Sequence, residues 1–240
     1  RPGTVVICAA IMNRYNVDAV PHLICGGFNQ EETENALIDL QFLGIDNVLA
    51  LRGDSIKSES VFVAEPGGHK HANELIHQIG QMNQGHYLMD DYKRDPTDFC
   101  IGAAGYPEKH FEAMNLEDDL YHLKKKVEAG AHYIVTQMFF DNQKFFDFVS
   151  ACRAIGITVP IIPGLKPLKS LTHISFIPKY FHIDYPVELS RELIKCKTNA
   201  DVERVGIEWG IQQSKALKAA GVPCIHSYTM SNSSSVKAIA

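Results

Sequence analysis

The sequence lacks an excess of charge of either sign. Of 240 residues, 23 are Lys or Arg and 28 are Asp or Glu, a formal net charge of −5. That balance gives no electrostatic footprint for nucleic acid or an anionic membrane surface. Long apolar runs are missing too. The longest, Val5-Val6-Ile7-Cys8-Ala9-Ala10-Ile11-Met12, falls far short of the ~20 residues a membrane span needs. No signal-peptide pattern is legible. The cysteines (Cys8, Cys25, Cys100, Cys152, Cys196 and Cys224) are scattered and contain no CxxC pair, which predicts free, mostly buried thiols in a reducing cytosol. Several signatures of chemistry are absent as well. No GxGxxG follows a strand-like run, which argues against a dinucleotide-type Rossmann domain. The stretch "GGHKHANELIH" gathers His69, His71 and His77, but Asn73 stands where the first His of HExxH belongs, so no metal is predicted. GxSxG is missing, and with it a recognisable serine nucleophile.

What is present is a regular alternation. The chain is 45% hydrophobic and 21% charged, enough to bury a core. Short apolar runs rich in β-branched or aromatic residues lie at 18–25, 47–53, 99–105, 133–140, 159–165 and 224–230. Helical spacing fills much of the sequence between them. Glu31–Gly44 carries the stripe Ala36, Leu37, Leu40 and Leu43. Ala72–Gln84 is a second helix. Leu116–Gly130 is a third, with Leu116, Leu120, Leu123 and Val127 on one face, acids first and lysines later, as the helix dipole favours. Asn142–Gly156 follows with Phe145, Phe146, Val149 and Ile155. Strand–helix–strand repetition without hairpin turns predicts a parallel sheet. Six strands behind a leading helix match a (β/α)8 TIM barrel with about six of its eight strands in this chain, as a single incomplete domain over 1–240. The chain opens at Arg1 and stops at "SSSVKAIA", both apparently within elements, which predicts a piece of a longer protein.

The polar residues gather where the strands end. "VPHLIC" carries His22, and "NVLALRGD" ends on Arg52-Gly53-Asp54. "CIGAAGYPEKH" leads through Tyr106 to Glu108, Lys109 and His110. "YIVTQMFFD" holds Gln137, "VPIIPGLKP" ends on Lys166, and "CIHSYTM" carries His226 and Tyr228. In a parallel α/β fold such ends converge on a ligand-binding rim. Each residue alone also has a plainer reading. His22 suits a hydrogen-bonded core histidine, and Gln137 suits a barrel filler. Asp119, His122 and Lys126 form a helix stripe that a solvated face explains equally well. Met138-Phe139-Phe140 reads as core. The adhesion use of "RGD" needs an exposed loop of a secreted protein, which this apolar strand end does not offer.

Taken together, "VPHLIC", "ALRGD", "AGYPEKH", "LKKKVEAGAHYIVTQMFFD" and "PIIPGLKPL" resemble the methylenetetrahydrofolate reductase family in its bacterial catalytic-domain form. The resemblance covers nearly the whole chain. It implies a TIM barrel that binds FAD, takes a hydride from NAD(P)H and reduces 5,10-methylenetetrahydrofolate to 5-methyltetrahydrofolate by ping-pong kinetics. It implies FAD contacts at His22, Arg52, Gly53, Asp54, His71, Ala72, Tyr106, His110, Asp119, His122, Lys125 and Lys126. It makes Asp54 the carboxylate between flavin and folate, and Gln137 a partner of both pterin and nicotinamide. Phe139 is assigned stacking on ligands, and His173 stands in the folate site where the family usually carries Gln. It also implies a cytoplasmic protein of one-carbon and methionine metabolism, a homo-oligomer when full length, with neither nucleic acid nor membrane as partner. The departures are specific. The family's general acid is a Glu in an "EFFPP"-type first strand, and no such motif occurs here. Ser231-Asn232 replaces the usual "NR" after Tyr228-Thr229-Met230. Residues 55–72 and 85–98 read as loops of variable length. The alternative implied by these losses is a non-catalytic remnant that holds FAD or folate.

Overall fold

A computed structural model describes residues 3–54, 62–89, 94–230 and 233–240. The chain divides into two compact units. The first comprises the chain up to Ala104 together with Leu123–Tyr133. Its elements are helix α1 (Thr4–Tyr15), strand β1 (His22–Ile24), helix α2 (Gln30–Phe42), strand β2 (Asn47–Leu51), helix α3 (Ala72–Met82) and, up to Ala104, strand β3 (Cys100–Gly105). Strands β1, β2 and β3 pair in parallel, with His22 opposite Leu49 and Asn47 opposite Cys100. Parallel neighbours cannot be joined by a hairpin, so each return runs through a helix.

The helices form where local chemistry dictates. Asn29 and Glu32 make a reciprocal capping box at the start of α2, each side chain accepting the other's backbone N–H at 2.9 Å. Gly44, with φ 69°, turns the chain out of that helix. Leu37 and Leu40 of α2, with Leu75, Ile76, Ile79 and Met82 of α3, are fully buried in one core with Val48, Ala50 and Ile101 of the sheet. Each such aliphatic side chain contributes about 1.5–3 kcal/mol through burial. The predicted α2 stripe needs one correction. Leu43 falls at the C-cap and is 44% exposed, whereas Thr33 and Glu34 join the buried face.

The second unit comprises Gly105–His122 and Ile134–Ala240. It holds strand β4 (Tyr133–Met138) from Ile134 onward, helix α5 (Asn142–Ala154), strand β5 (Ile161–Leu165), helices α6 (Leu171–Phe181), α7 (Val187–Lys195) and α8 (Asn199–Ala219), strand β6 (His226–Ser227) and helix α9 (Ser234–Ile239). Helix α4 (Leu116–Glu128) contains the division within its length. Strands β4, β5 and β6 are again parallel, with Ile134 opposite Ile161 and Gly164 opposite His226. Met138, Phe140, Leu168, Ile177, Leu189, Val202 and Val205 share a core.

All six β-runs therefore contain strands, though β1 and β6 are shorter than the runs that predicted them. The α5 stripe is rotated from the predicted one. Asp141 caps the helix at Gln143 N–H (2.9 Å), and the buried residues are Phe145, Phe148 and Cys152 at i, i+3 and i+7. Helical spacing between the last two strand runs predicts helix there, but not its division into α6, α7 and α8. Their stretch has no β-branched run to mark a strand, and Pro178 sits inside α6. No described helix is long and apolar enough to cross a membrane.

Helix α8 passes so close to the segment after β5 that a Cβ on Gly206 would strike the Leu168 backbone carbonyl. That backbone cannot swing aside as a side chain could. Gly206→Ala is therefore expected to destabilise by about 1–3 kcal/mol, although alanine is better in a helix by about 1 kcal/mol. Urea unfolding measures this, and a stabilised variant would contradict the packing.

Candidate functional site

In the first unit, the ends of β1 and β2 are tied together. The Cys25 N–H is shared between the carbonyls of Leu51 and Arg52, both at 3.1 Å. Along β1, Leu23 and Cys25 are buried, whereas His22 and Ile24 keep an exposed face. Crowding by neighbouring atoms still lowers the His22 pKa from its ordinary value. Gly53 has φ 87°, and a Cβ there would stand 3.3 Å from Ile24 Cβ. Only glycine adopts that backbone without strain, and its missing side chain lets the chain pass close to Ile24. The Arg52 guanidinium lies 5.4 Å from the centre of the Phe62 ring, a cation–π contact, and Asp54 is exposed. Arg52, Gly53 and Asp54 thus follow the end of β2 beside Cys25, whereas His22 opens β1 opposite Leu49, at the start of its strand and not at its end.

His71 and Ala72 open α3. Glu74 Oε2 accepts from the N–H groups of Lys70 (2.7 Å) and His71 (3.4 Å), and Ala72 is buried. Lys126 of α4 donates to the Ala104 carbonyl near the end of β3 (3.0 Å). Lys125, one residue earlier, pairs with Glu128 (2.9 Å). The histidines weighed as metal ligands have different surroundings. His69 is buried against Gln78, with Nε2 at 2.5 Å from Oε1. His69 and His77 line an open polar groove of about 900 Å3 with Glu34, Glu74 and Glu128.

In the second unit, Tyr106 and His110 meet edge to face, with ring centroids 4.6 Å apart. The His110 N–H donates to Asp119 Oδ2 (2.9 Å), so the loop after β3 is fastened to the first turn of α4. His122 is largely exposed, 3.6 Å from Asp118. On β4, Gln137 Oε1 accepts from the Met138 N–H (3.0 Å). Phe139 is fully buried, its ring stacked on Phe145 at 5.2 Å. To stack on a ligand it would first have to be uncovered. His173 lies in the first turn of α6, where Nδ1 accepts from the Lys169 N–H (3.1 Å) and its carbonyl accepts from Tyr185 (2.8 Å). Tyr228 donates to the Thr136 carbonyl (2.8 Å), and burial pushes its pKa up to about 12. Lys166 is half-buried, which lowers its pKa, with Lys169 adding to the effect. Ser231 and Asn232 lie outside the described residues, as do residues 55–61 and 90–93 of the two variable loops.

The family model for methylenetetrahydrofolate reductase matches residues 1–240. The chain belongs to that family. A methylenetetrahydrofolate reductase (NADH) of Zea mays is 35% identical over 237 residues, which cover 95% of this chain and 38% of that protein. The 5,10-methylenetetrahydrofolate reductase of Escherichia coli K12 is 30% identical over 234 residues, covering 96% of this chain and 71% of that protein. Among solved structures, an uncharacterized Clostridium thermocellum protein that binds two copies of 5-methyl-5,6,7,8-tetrahydrofolic acid matches with a TM-score of 0.53 at 18% identity. It covers 95% of this chain and 74% of that one, a likeness of fold.

Within this reductase-family chain, the sequence reading passed over two charged groups near the candidate residues. Lys144 and Asp184 both surround Glu108, and the three are joined by hydrogen bonds. One signal was available. Lys144 sits in the first turn of α5, where the helix dipole disfavours a cation, so it needs an anionic partner. That the partner lies 36 residues earlier was not legible.

The pKa of His173 is lowered from 6.5, by burial first and then by Lys166 and Lys169. The unfolded chain thus takes up a proton before the folded chain does, and stability falls as pH drops through this range. His173→Gln is expected to lose less melting temperature than the parent on going from about pH 7.5 to about pH 5.5. Circular dichroism melts at the two pH values measure this, and equal losses would refute it.

Proposed function

We propose that the protein carrying this chain is a flavin-dependent 5,10-methylenetetrahydrofolate reductase using NAD(P)H. The observation that carries the reading is the family match across residues 1–240. The reading completes the parallel strands as a (β/α)8 barrel, in a cytoplasmic homo-oligomer. It also takes the two substrates in turn at one flavin, which is ping-pong behaviour.

The residues present fit FAD. Gly53 holds a left-handed backbone that a side chain would strain, which lets the main chain after β2 lie close to Ile24 and offer itself to a ligand. Arg52, Lys125 and Lys126 supply cations suited to a pyrophosphate, and His22 and His110 supply ring nitrogens. Tyr106, Asp119, His122, His71 and Ala72 complete the set proposed to hold it. FAD, when bound, supplies a ring that accepts and returns a hydride.

The chain's own groups have separate tasks. The Asp54 carboxylate favours the cationic form of the folate substrate. Gln137 uses Oε1 on the Met138 N–H, so its amide N–H groups remain to donate to a pterin or nicotinamide. His173 is held toward its neutral form, which lets it replace the amide that the family usually carries there. No residue of this chain is assigned as proton donor, because the family's "EFFPP"-type Glu is absent from these 240 residues. Loss of a general acid typically costs 10²–10⁴-fold, so this chain alone is expected to turn over slowly. Ser231-Asn232 in place of the family's usual "NR" keeps a second reading, a remnant that binds FAD or folate without turnover.

Purified natural protein should show flavin absorbance that bleaches when NADH or NADPH is added without oxygen and returns with methylenetetrahydrofolate. Bleaching without return favours the binding remnant, and folded protein without flavin overturns the reductase reading and leaves only folate binding to the second. Asp54→Asn should slow the folate half-reaction by about 10²-fold or more while sparing flavin binding. Stopped-flow absorbance of each half-reaction checks this.

A further inference from the structure

The loop from Tyr106 to Asn115 carries two of the proposed flavin contacts. It is held by unusual means. The Glu108 side chain is only 8% exposed. Its Oε2 accepts from Lys144 Nζ on α5 and from the Asp184 N–H (3.1 Å). Lys144 also reaches Asp184 Oδ2 (2.9 Å). Glu108 Oε1 is buried with no hydrogen-bond partner among the described residues. Burial pushes the Glu108 carboxyl above its ordinary pKa, against the pull of Lys144 and the Asp184 N–H.

The neighbouring residues are also constrained. Lys109 has φ 80°, in the left-handed region, and its ammonium donates to the carbonyls of His110 (3.0 Å) and Ala113. Phe111 stacks on His182 at 5.3 Å, and His182 is itself left-handed, with φ 53°. Non-glycine residues keep such angles only where the surroundings over-determine them. A buried ion pair adds little stability compared with apolar packing. What the arrangement secures is the position of one loop.

We propose that Glu108 is a positioning residue: with Lys144 and the Asp184 N–H it clamps the 106–115 loop in the conformation that presents Tyr106 and His110 to FAD. The inference rests on the flavin reading above. Glu108 touches neither cofactor nor substrate in this role. It acts through the loop, whose middle is fastened by the His110 N–H to Asp119.

The test uses the natural full-length protein, with Glu108→Gln and Lys144→Gln as variants. FAD dissociation constants come from quenching of flavin fluorescence. Hydrogen exchange of amides 109–113 reads loop order, and circular dichroism verifies folding. Both variants are expected to weaken FAD binding about tenfold or more and to speed exchange in the loop. Unchanged affinity and exchange in a folded Glu108→Gln protein would overturn the clamp. Should Glu108→Gln not fold, Lys144→Gln decides in the same way, because that side chain is 33% exposed and tolerates an amide. If the parent binds no FAD, the flavin reading fails. The clamp is then judged by exchange alone: faster exchange in the variants supports it, and unchanged exchange overturns it.

Discussion

Within each unit, every strand runs in the same direction as the neighbour it pairs with. A parallel neighbour can be reached only by crossing back along the sheet, so a helix must follow a strand. Within each unit this sets all carbonyl ends on one edge. It also separates the tasks of the chain. The strand bodies and one face of each helix are apolar and provide burial. The residues just past the strands are released from that demand and can carry charge. Arg52 and Asp54 come past the end of β2 beside Cys25, whose N–H is shared across the join, whereas His22 opens β1 opposite Leu49. His226 and Tyr228 follow from the same rule at β5 and β6, where Tyr228 reaches the Thr136 carbonyl.

The glycines show where that design leaves no room. Gly53 passes close to Ile24, Gly164 lies under Tyr228, and Gly206 meets the Leu168 backbone. Gly164 and Gly206 are packing requirements. Gly53 alone combines a close approach with a left-handed backbone at a strand end, which is why it belongs with the proposed cofactor site. The polar interior is used sparingly. The Glu34 carboxylate accepts the Leu88 N–H, and the Asn83 side chain serves Thr97 and Phe99. These bonds fasten loops to helices, as Glu108 does in the second unit.

Much of this was legible in the residues. An apolar run that stops on Arg52-Gly53-Asp54 announces a strand end, and the structure places β2 over Asn47–Leu51. Leu37 and Leu40 were legible because helical spacing repeats every 3.6 residues and both fall on one face. Leu43 misled because it shares the spacing but falls at the cap, where the helix has already ended. The α5 stripe was misread for a related reason. Four adjacent aromatic and aliphatic candidates fit two overlapping faces, and packing chose Phe145, Phe148 and Cys152. The runs at 159–165 and 224–230 delimit the stretch that holds α6 to α8, but no internal strand-like run marks where one helix ends and the next begins.

Sequence alone determined the alternation of strands and helices, the parallel class, the family and the residues clustered at strand ends. These follow from short-range periodicity and from motifs whose order is written along the chain. Tertiary structure alone decided which groups became partners. Glu108, Lys144 and Asp184 are 36 and 40 residues apart in succession, and no local spacing links them. The burial of Phe139 on Phe145, and the left-handed turn that brings His182 onto Phe111, were decided in the same way. Periodicity reports which face of an element seeks the core. It carries no information on where two loops will land, because that depends on how complete elements pack.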